Sequence, residues 1–272
     1  MKPRGIGIAV ISYHSTKDLR LFLQSFNASD VSVPVKLTVS LVDCDEIELK
    51  DTLQLIRSFH LEDVSVVVPY QGQNVGYGRA CNDAATLWDE EPTLRTYAFF
   101  NADTELRPGV LEGCDALLWS RPDYGVVGPR QVDRQGLITH AGIVGPPPRH
   151  RAFKTPGRDH QYTEILDDCW SVMGSAYFTR APLWWELTNC SMYREVMPYA
   201  PGAFLETPHF YEDEFYSRHA VAHGRKVVYD GKHTMVHQQG GATPANGWAQ
   251  MMIQKSRPIY EAACAAHGFA AA

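Results

Sequence analysis

The strongest constraint on the fold is an alternation repeated through the first hundred residues. Short apolar runs are separated by amphipathic stretches. Ile6-Gly7-Ile8-Ala9-Val10-Ile11-Ser12-Tyr13 is nearly continuous in apolar character, and Val35 to Val42, Val64 to Val68 and Tyr97-Ala98-Phe99-Phe100 repeat the pattern. Such runs belong to central parallel strands covered on both faces. Between them, Thr16-Lys17-Asp18 opens a stretch with Leu19, Phe22, Leu23 and Phe26 on one stripe, the spacing of a surface helix. Glu46 to Phe59 is helical in pattern, and the loop Gln73 to Asn82, punctuated by Gly76 and Gly78, runs into a helix through Leu87 and Trp88. Strands alternating with helices predict a parallel α/β sheet with right-handed crossovers.

After Pro108 the alternation weakens. A helix is expected over Val110 to Trp119, a short strand over Gly125 to Gly128, and a Pro-rich break with a mobile loop at Gly145 to Arg151. Cys169 to Phe178 reads as a strand with a glycine bend. Phe210 to Arg218 leads a helix that stops at Gly224. Lys226 to Tyr229 is another strand, extended after a turn by Thr234 to His237, and Trp248 to Ala266 is helical. The alanine-rich end from Phe269 is expected to fray.

A chain of 272 residues suffices for one large α/β domain, or a domain with an appendage. The 44% hydrophobic and 21% charged content is that of a soluble enzyme. A net charge of -6 carries no electrostatic footprint for nucleic acid. Cys44, Cys81, Cys114, Cys169, Cys190 and Cys264 include no C-x-x-C pair. They read as buried free thiols in a reducing compartment rather than a disulfide frame or a zinc site. Met1 to Gly5 shows no leader, and no apolar run approaches the roughly 20 residues of a membrane helix. A soluble, cytoplasmic protein is the expectation.

Chemistry concentrates where strands stop. The fourth apolar run ends in Asn101-Ala102-Asp103, at the carboxyl edge where open α/β sheets bind ligands. Residues i and i+2 of an extended segment share a side, so Asn101 and Asp103 can face one ligand. Their oxygens suit Mg²⁺ or Mn²⁺ carrying a diphosphate; an Asx turn is the competing use of Asp103. Ser12, Tyr13 and His14 end the first strand, an edge that suits a base or ribose or else is an ordinary loop. Asp43 ends the second, where it could bond ribose or a base N–H, or cap a helix. Gly76 and Gly78 let backbone N–H groups approach phosphates, and Arg79 could pair with a diphosphate or be solvated. Glu212-Asp213-Glu214 at a helix start complements the macrodipole, or supplies a general base. His237 is a structural histidine or, beside Asp103, part of a metal shell. The Trp184-Trp185 pair and Trp170 read as core before sugar platform.

Taken together these segments resemble a family 2 glycosyltransferase of the GT-A fold, over roughly residues 6–240. Ile11-Ser12-Tyr13 resembles that family's nucleotide-binding opening, and Val42-Asp43 its base- or ribose-binding aspartate. The stretch from Asn74 to Asn82 is similar to the Asn-x-Gly-aromatic segment before the metal motif. Asn101-Ala102-Asp103 sits where the family has Asp-x-Asp and resembles the Asn-x-Asp form of rhamnosyltransferase-like members. Tyr211-Glu212-Asp213 looks like the Glu-Asp motif whose aspartate is the base, with Arg218 and Gly224 following in familiar positions, and His237 matches the histidine after the last strand.

The resemblance implies a Rossmann-like, mostly parallel central sheet flanked by helices, with a C-terminal acceptor-side region. Residues 1–240 would form the GT-A domain (1–107 the nucleotide-sugar half, 108–240 the acceptor and base half), and 241–272 a helical tail. It implies inverting transfer from a dTDP- or UDP-sugar to an acceptor hydroxyl. Donor contacts would come from Ser12, Tyr13, His14, Asp43, Asn74, Gly76, Arg79, Asn101 and Ala102. Mg²⁺ or Mn²⁺ would sit on Asp103 with His237, and Asp213 would be the base. Trp170, Gly174 and Glu212 are expected on the acceptor side, shaped by Gly145 to Pro208. Asn101 in place of an aspartate removes a negative charge, which lowers expected metal affinity and leaves metal independence open. Two other classes share the sheet plan. A sugar-phosphate nucleotidyltransferase would carry a basic Gly-rich loop after the first strand, which Ser12-Tyr13-His14-Ser15 is not. A non-catalytic carbohydrate-binding relative would not need both Asp103 and Asp213.

Overall fold

The computed structural model describes residues 5–29, 31–61, 63–68, 73–89, 91–156, 161–238 and 247–269. In chain order the elements are β1 (Gly5–Tyr13), α1 (Thr16–Asn27), β2 (Val35–Val42), α2 (Glu46–Ser58), β3 (Val64–Val67), α3 (Tyr77–Thr86), β4 (Leu94–Asn101), β5 (Thr104–Glu105) and α4 (Val110–Ser120). Then follow β6 (Tyr124–Val132), β7 (Leu137–His140), β8 (Ile143–Val144), β9 (Arg149–His150), β10 (Thr155–Pro156), β11 (Ile165–Leu166) and β12 (Ala176–Arg180). The chain continues through α5 (Ala181–Thr188), α6 (Ser191–Val196), α7 (Glu212–Ala222), β13 (Lys226–His237) and α8 (Trp248–Ala266).

The central sheet is mixed, with the path β10-β7-β6-β12-β4-β1-β2-β3. The β3-β2-β1-β4 half is parallel throughout, whereas β12 enters antiparallel between β4 and β6. β13 then runs parallel to β6. Alternation along the strands divides the core in two. From β1, Ile6, Ile8 and Val10 pack with Leu19, Phe22, Leu55 and Leu118 on the α1/α2/α4 face. Ala9 and Ile11 pack with Cys81, Trp88, Trp184 and Phe204 on the α3/α5 face. That two-sided burial is why β1 reads as an unbroken apolar run. A third cluster, built from Tyr193, Leu205, Phe215, Tyr260, Ala263 and Cys264, fastens α8 onto α6 and α7. No described helix is long and apolar enough to cross a membrane.

Two expectations are corrected. Cys169 to Phe178 is not one strand: Ser171 makes a lone bridge to Ile143, the chain turns at Gly174-Ser175, and β12 begins at Ala176. The Pro-rich segment after Gly145 is the tip of a hairpin, β8 pairing with β9. Residues 241–246 of the expected tail and 270–272 of its alanine-rich end lie outside the described residues.

Candidate active site

The first acidic centre is made by the ends of β4 and β13. After Asn101 the chain turns: Ala102 N–H donates to the Ile11 carbonyl at 3.0 Å, and Thr104 Oγ1 to the Asn101 carbonyl at 2.7 Å. Asp103 is thereby fixed at the carboxyl edge of the sheet. β5 pairs antiparallel with the end of β13, with His237 opposite Thr104. This long-range pairing brings His237 Nε2 to 3.5 Å from Asp103 Oδ1. His237 Nδ1 lies 2.9 Å from Gln131 Oε1, which also accepts the Ser175 hydroxyl at 2.7 Å. With Nδ1 turned to the Gln131 amide oxygen, Nε2 is the ring nitrogen that faces the Asp103 carboxylate.

An imidazole nitrogen and a carboxylate oxygen this close, on side chains only 5% and 11% exposed, could together hold a cation. Donors of one Mg²⁺-sized ion, each about 2.0–2.1 Å from it, lie roughly 3–4 Å apart. The observed separation fits, and the amide behind the imidazole is the outer partner that orients a ligating histidine.

The second centre is the start of α7. Phe210 and Tyr211 have φ of +70° and +73°, a left-handed conformation that is strained for aromatic residues. It is held by Thr207 Oγ1 donating to the Phe210 carbonyl at 2.7 Å, and by Tyr211 stacking on Tyr260 at 4.7 Å. The double turn aims Asp213 at Gly174, whose N–H donates to Oδ2 at 2.6 Å; Oδ1 accepts the Glu214 N–H at 2.8 Å. Each oxygen keeps a lone pair for a proton. Burial pushes the Asp213 carboxyl above the usual carboxylate range against the pull of the Gly174 N–H, and the Glu214 charge adds to the rise.

One peptide joins the two centres. Tyr77 OH donates to the Gly174 carbonyl at 2.5 Å while the Gly174 N–H holds Asp213. The next residue, Ser175, accepts the Asn101 N–H at 3.1 Å on its carbonyl and donates its hydroxyl to Gln131. A continuous path therefore runs Asp103, His237, Gln131, Ser175, Gly174, Asp213. A Cβ added at Gly174 would lie 3.1 Å from the Asp213 Cβ and 3.2 Å from its Oδ2, so this position needs glycine for close approach.

Glu212, expected on the acceptor side, turns inward instead. It is 5% exposed, with Oε2 3.3 Å from Thr207 Oγ1. Burial first, then the Asp213 charge, raise its carboxyl well above the usual range. Trp170 is also buried, its indole N–H donating to Glu214 Oε1 at 2.9 Å and its face covered by Arg218 at 3.8 Å. Tyr260 OH reaches the same Glu214 oxygen at 2.6 Å.

The donor-side residues fall into two groups. Ser12, Tyr13, His14 and Asp43 meet at the neighbouring ends of β1 and β2, where Tyr13 pairs with Val42. Ser12 is buried with its hydroxyl 3.4 Å from that of Ser15. His14 and Asp43 have φ of +47° and +56°. His14 sits 2.9 Å from Glu48 Oε2 and 3.5 Å from Asp43 Oδ2; the Glu48 hydrogen bond raises its pKa.

Around α3, Asn74 Oδ1 accepts the Gly76 N–H at 3.0 Å, an Asx turn. A Cβ on Gly76 or Gly78 would come within 2.4 Å of the Thr207 or Leu205 carbonyl. These glycines thus let the start of α3 pack on the segment that leads into α7. Asn82 locks the same segment, bonding both the N–H and the carbonyl of Phe204. Arg79 pairs with Asp83 at 2.8 Å and Glu206 at 3.4 Å.

Gln131, Ser175 and the Tyr77 hydroxyl complete the site although no local signal marks them. A cavity of about 280 Å³ opens between the β8–β9 hairpin and the start of α7, lined by Ile143, Pro148, Arg149, His150, Tyr211, Glu214 and Arg257. A second, of about 390 Å³, lies across the β8–β9 hairpin against Arg151 and Tyr162. Neither of these two is lined by Asp103 or Asp213.

The α/β architecture is that of solved glycosyltransferase structures. The mannosyltransferase PcManGT from Pyrobaculum calidifontis, in complex with GDP-Man and Mn²⁺, superposes with a TM-score of 0.56 at 13% identity, over 98% of this chain and 69% of that one. S. aureus TarS 1-349 superposes with a TM-score of 0.57 at 14% identity over 87% of this chain. The match spans 61% of the TarS 1-349 chain and 36% of a longer TarS structure. No protein-family model matches the sequence, and no curated protein matches it.

Proposed function

We propose that this chain is an inverting glycosyltransferase that moves a sugar from a nucleoside-diphosphate donor to an acceptor hydroxyl. The observation that carries the reading is the coupling of Asp103–His237 to Asp213 through the Gly174–Ser175 peptide. It links the Asp103–His237 pair at the sheet edge to a carboxylate of raised pKa at the start of α7. Asp103 and His237 would hold Mn²⁺ or Mg²⁺; an imidazole in the donor set favours Mn²⁺, the ion in the PcManGT complex. When bound, the cation supplies Lewis-acid neutralisation of the leaving diphosphate. His14 and Asp43 offer polar groups to the nucleoside. Asp213 accepts the acceptor hydroxyl's proton on a lone pair not used by the two backbone N–H groups, and its raised pKa makes it a stronger base. The acceptor would approach through the cavity lined by Tyr211 and Glu214.

The Asn-x-Asp form supports the resemblance to rhamnosyltransferase-like members, with a dTDP- or UDP-sugar as donor. A soluble, cytoplasmic setting goes with this reading. The test is a panel of dTDP-, UDP- and GDP-sugars with and without Mn²⁺, read by thermal shift and by nucleoside diphosphate release. A Mn²⁺-dependent shift with one donor, and release of its diphosphate on adding acceptor glycans, is the expected result. Pyrophosphate release from a nucleoside triphosphate and a sugar phosphate would replace this reading with a nucleotidyltransferase.

A further inference from the structure

Away from the sheet edge, three helices bring together a second set of potential ligands. Cys190 caps the start of α6, His219 lies in the last turn of α7, and His267 is the C-terminal cap of α8. One ligand atom from each, the Cys190 sulfur and a ring nitrogen of each histidine, lie within 4.8 Å of one another. His219 is fully buried and His267 is 8% exposed.

The hydrogen bonding of these histidines does not account for their burial. His267 Nδ1–H donates to the Ala263 carbonyl at 2.8 Å, which leaves Nε2 with its lone pair. That Nε2 is buried without a hydrogen-bond partner, and so are both ring nitrogens of His219. Buried polar atoms are normally paired, so three such nitrogens in one cluster call for an occupant. Phe215, Tyr193 and Phe269 surround the two rings. An imidazole whose Nδ1–H is held by a backbone carbonyl is a typical oriented metal ligand.

We propose that Cys190, His219 and His267 form a structural zinc site that pins the end of α8 to α6 and α7. The donor set, one thiol and two imidazoles, selects Zn²⁺ over Mg²⁺ or Mn²⁺. Tetrahedral Zn²⁺ asks for donors about 3.3–3.7 Å apart, within reach of side-chain rotation from the observed spacing. The fourth tetrahedral position is left to a water molecule. Cys190 is partly exposed and gives the ion a route in; its thiol loses a proton as the sulfur–metal bond forms.

The test uses the purified full chain, stripped with chelator and reloaded. Metal analysis should find about one Zn²⁺ per chain. Co²⁺ in its place should give a thiolate-to-metal charge-transfer band and tetrahedral visible bands. Chelation should lower Tm and expose the end of α8 to protease. Cys190→Ser should lose the charge-transfer band, whereas Asp103→Asn should keep it, since the proposed catalytic cation site has no sulfur. Absence of the band in the wild-type chain under excess Co²⁺ overturns the proposal, as does its survival in Cys190→Ser.

Discussion

The two acidic centres differ in what holds them. Asp103 is fixed by sheet pairing: the β4 end on β1 and β12, and β5 on β13. Its partner His237 belongs to the last strand of the sheet. Asp213 instead stands on the first turn of a helix, behind two residues in left-handed conformation, and is held by the N–H groups of Gly174 and Glu214. The sheet-borne centre is therefore rigid by many cooperative bonds. The helix-borne centre is set by a few local contacts, and small changes there should be felt at once. The division suits the proposed chemistry, because a fixed cation site orients the donor while the base must be aimed at the acceptor to within a fraction of an ångström.

The largest expected effects separate the two centres. Asp213→Asn should lower kcat by about 10²–10⁴-fold, the usual worth of a general base, while nucleotide affinity, read by titration calorimetry, stays unchanged. Asp103→Asn should do the reverse at first sight, weakening donor binding and removing its Mn²⁺ dependence. If both variants lost donor affinity to the same degree, the proposed division of labour would fail. Next in size, Gln131→Leu removes the acceptor that orients His237. Metal affinity should fall about 10–100-fold, as for other outer-shell partners, with kcat restored at saturating Mn²⁺. A kcat that stays low at every Mn²⁺ concentration would show that Gln131 acts through Ser175 on the base instead.

A smaller effect probes the helix-borne centre. Gly174→Ala places a methyl against the Asp213 carboxyl, where 3.1–3.2 Å is already tight. A shift of a few tenths of an ångström should cost about 10-fold in kcat, less than the 10² of a full 1 Å misplacement. Mn²⁺ affinity, measured by the metal dependence of donor binding, should not move; a parallel loss would mean that the sheet edge had given way as well.

The same contrast explains what could be read from the chain. β1, β2 and α8 follow from local periodicity, and their limits lie within a residue of expectation. The positions of Asp103 just past a strand end and of Asp213 at a helix start were legible because such ends are marked by the residues beside them. Gln131 and Ser175 were not, since a polar residue inside or just before a strand has no distinctive spacing; its meaning comes from the antiparallel insertion of β12, a non-local event. The meeting of His237 with Asp103 likewise depends on β5 and β13 pairing across more than a hundred residues. Glu212 was misplaced because an acidic triplet at a helix start reads as one solvated face. In the structure its first member packs against Gly78 of α3, the second turns to Gly174 and the third to Trp170 and Tyr260.

Glu212 supplies the smallest expected effect and the one with a pH signature. Its folded-state pKa lies above the unfolded value, because burial and the neighbouring Asp213 disfavour the charged form. A group shifted in that direction contributes stability that is complete below the ordinary carboxylate range and is lost as pH rises through the raised value. Glu212→Gln keeps a polar head beside the Thr207 hydroxyl and carries no charge to desolvate. At neutral pH the variant should therefore be more stable than wild type by on the order of 1 kcal/mol. The gain should shrink to nothing as pH falls toward about 4. Paired thermal melts across that range read the difference directly. A gain independent of pH would trace to packing alone, and a loss at neutral pH would mean that ionised Glu212 is held by contacts stronger than its single hydroxyl contact.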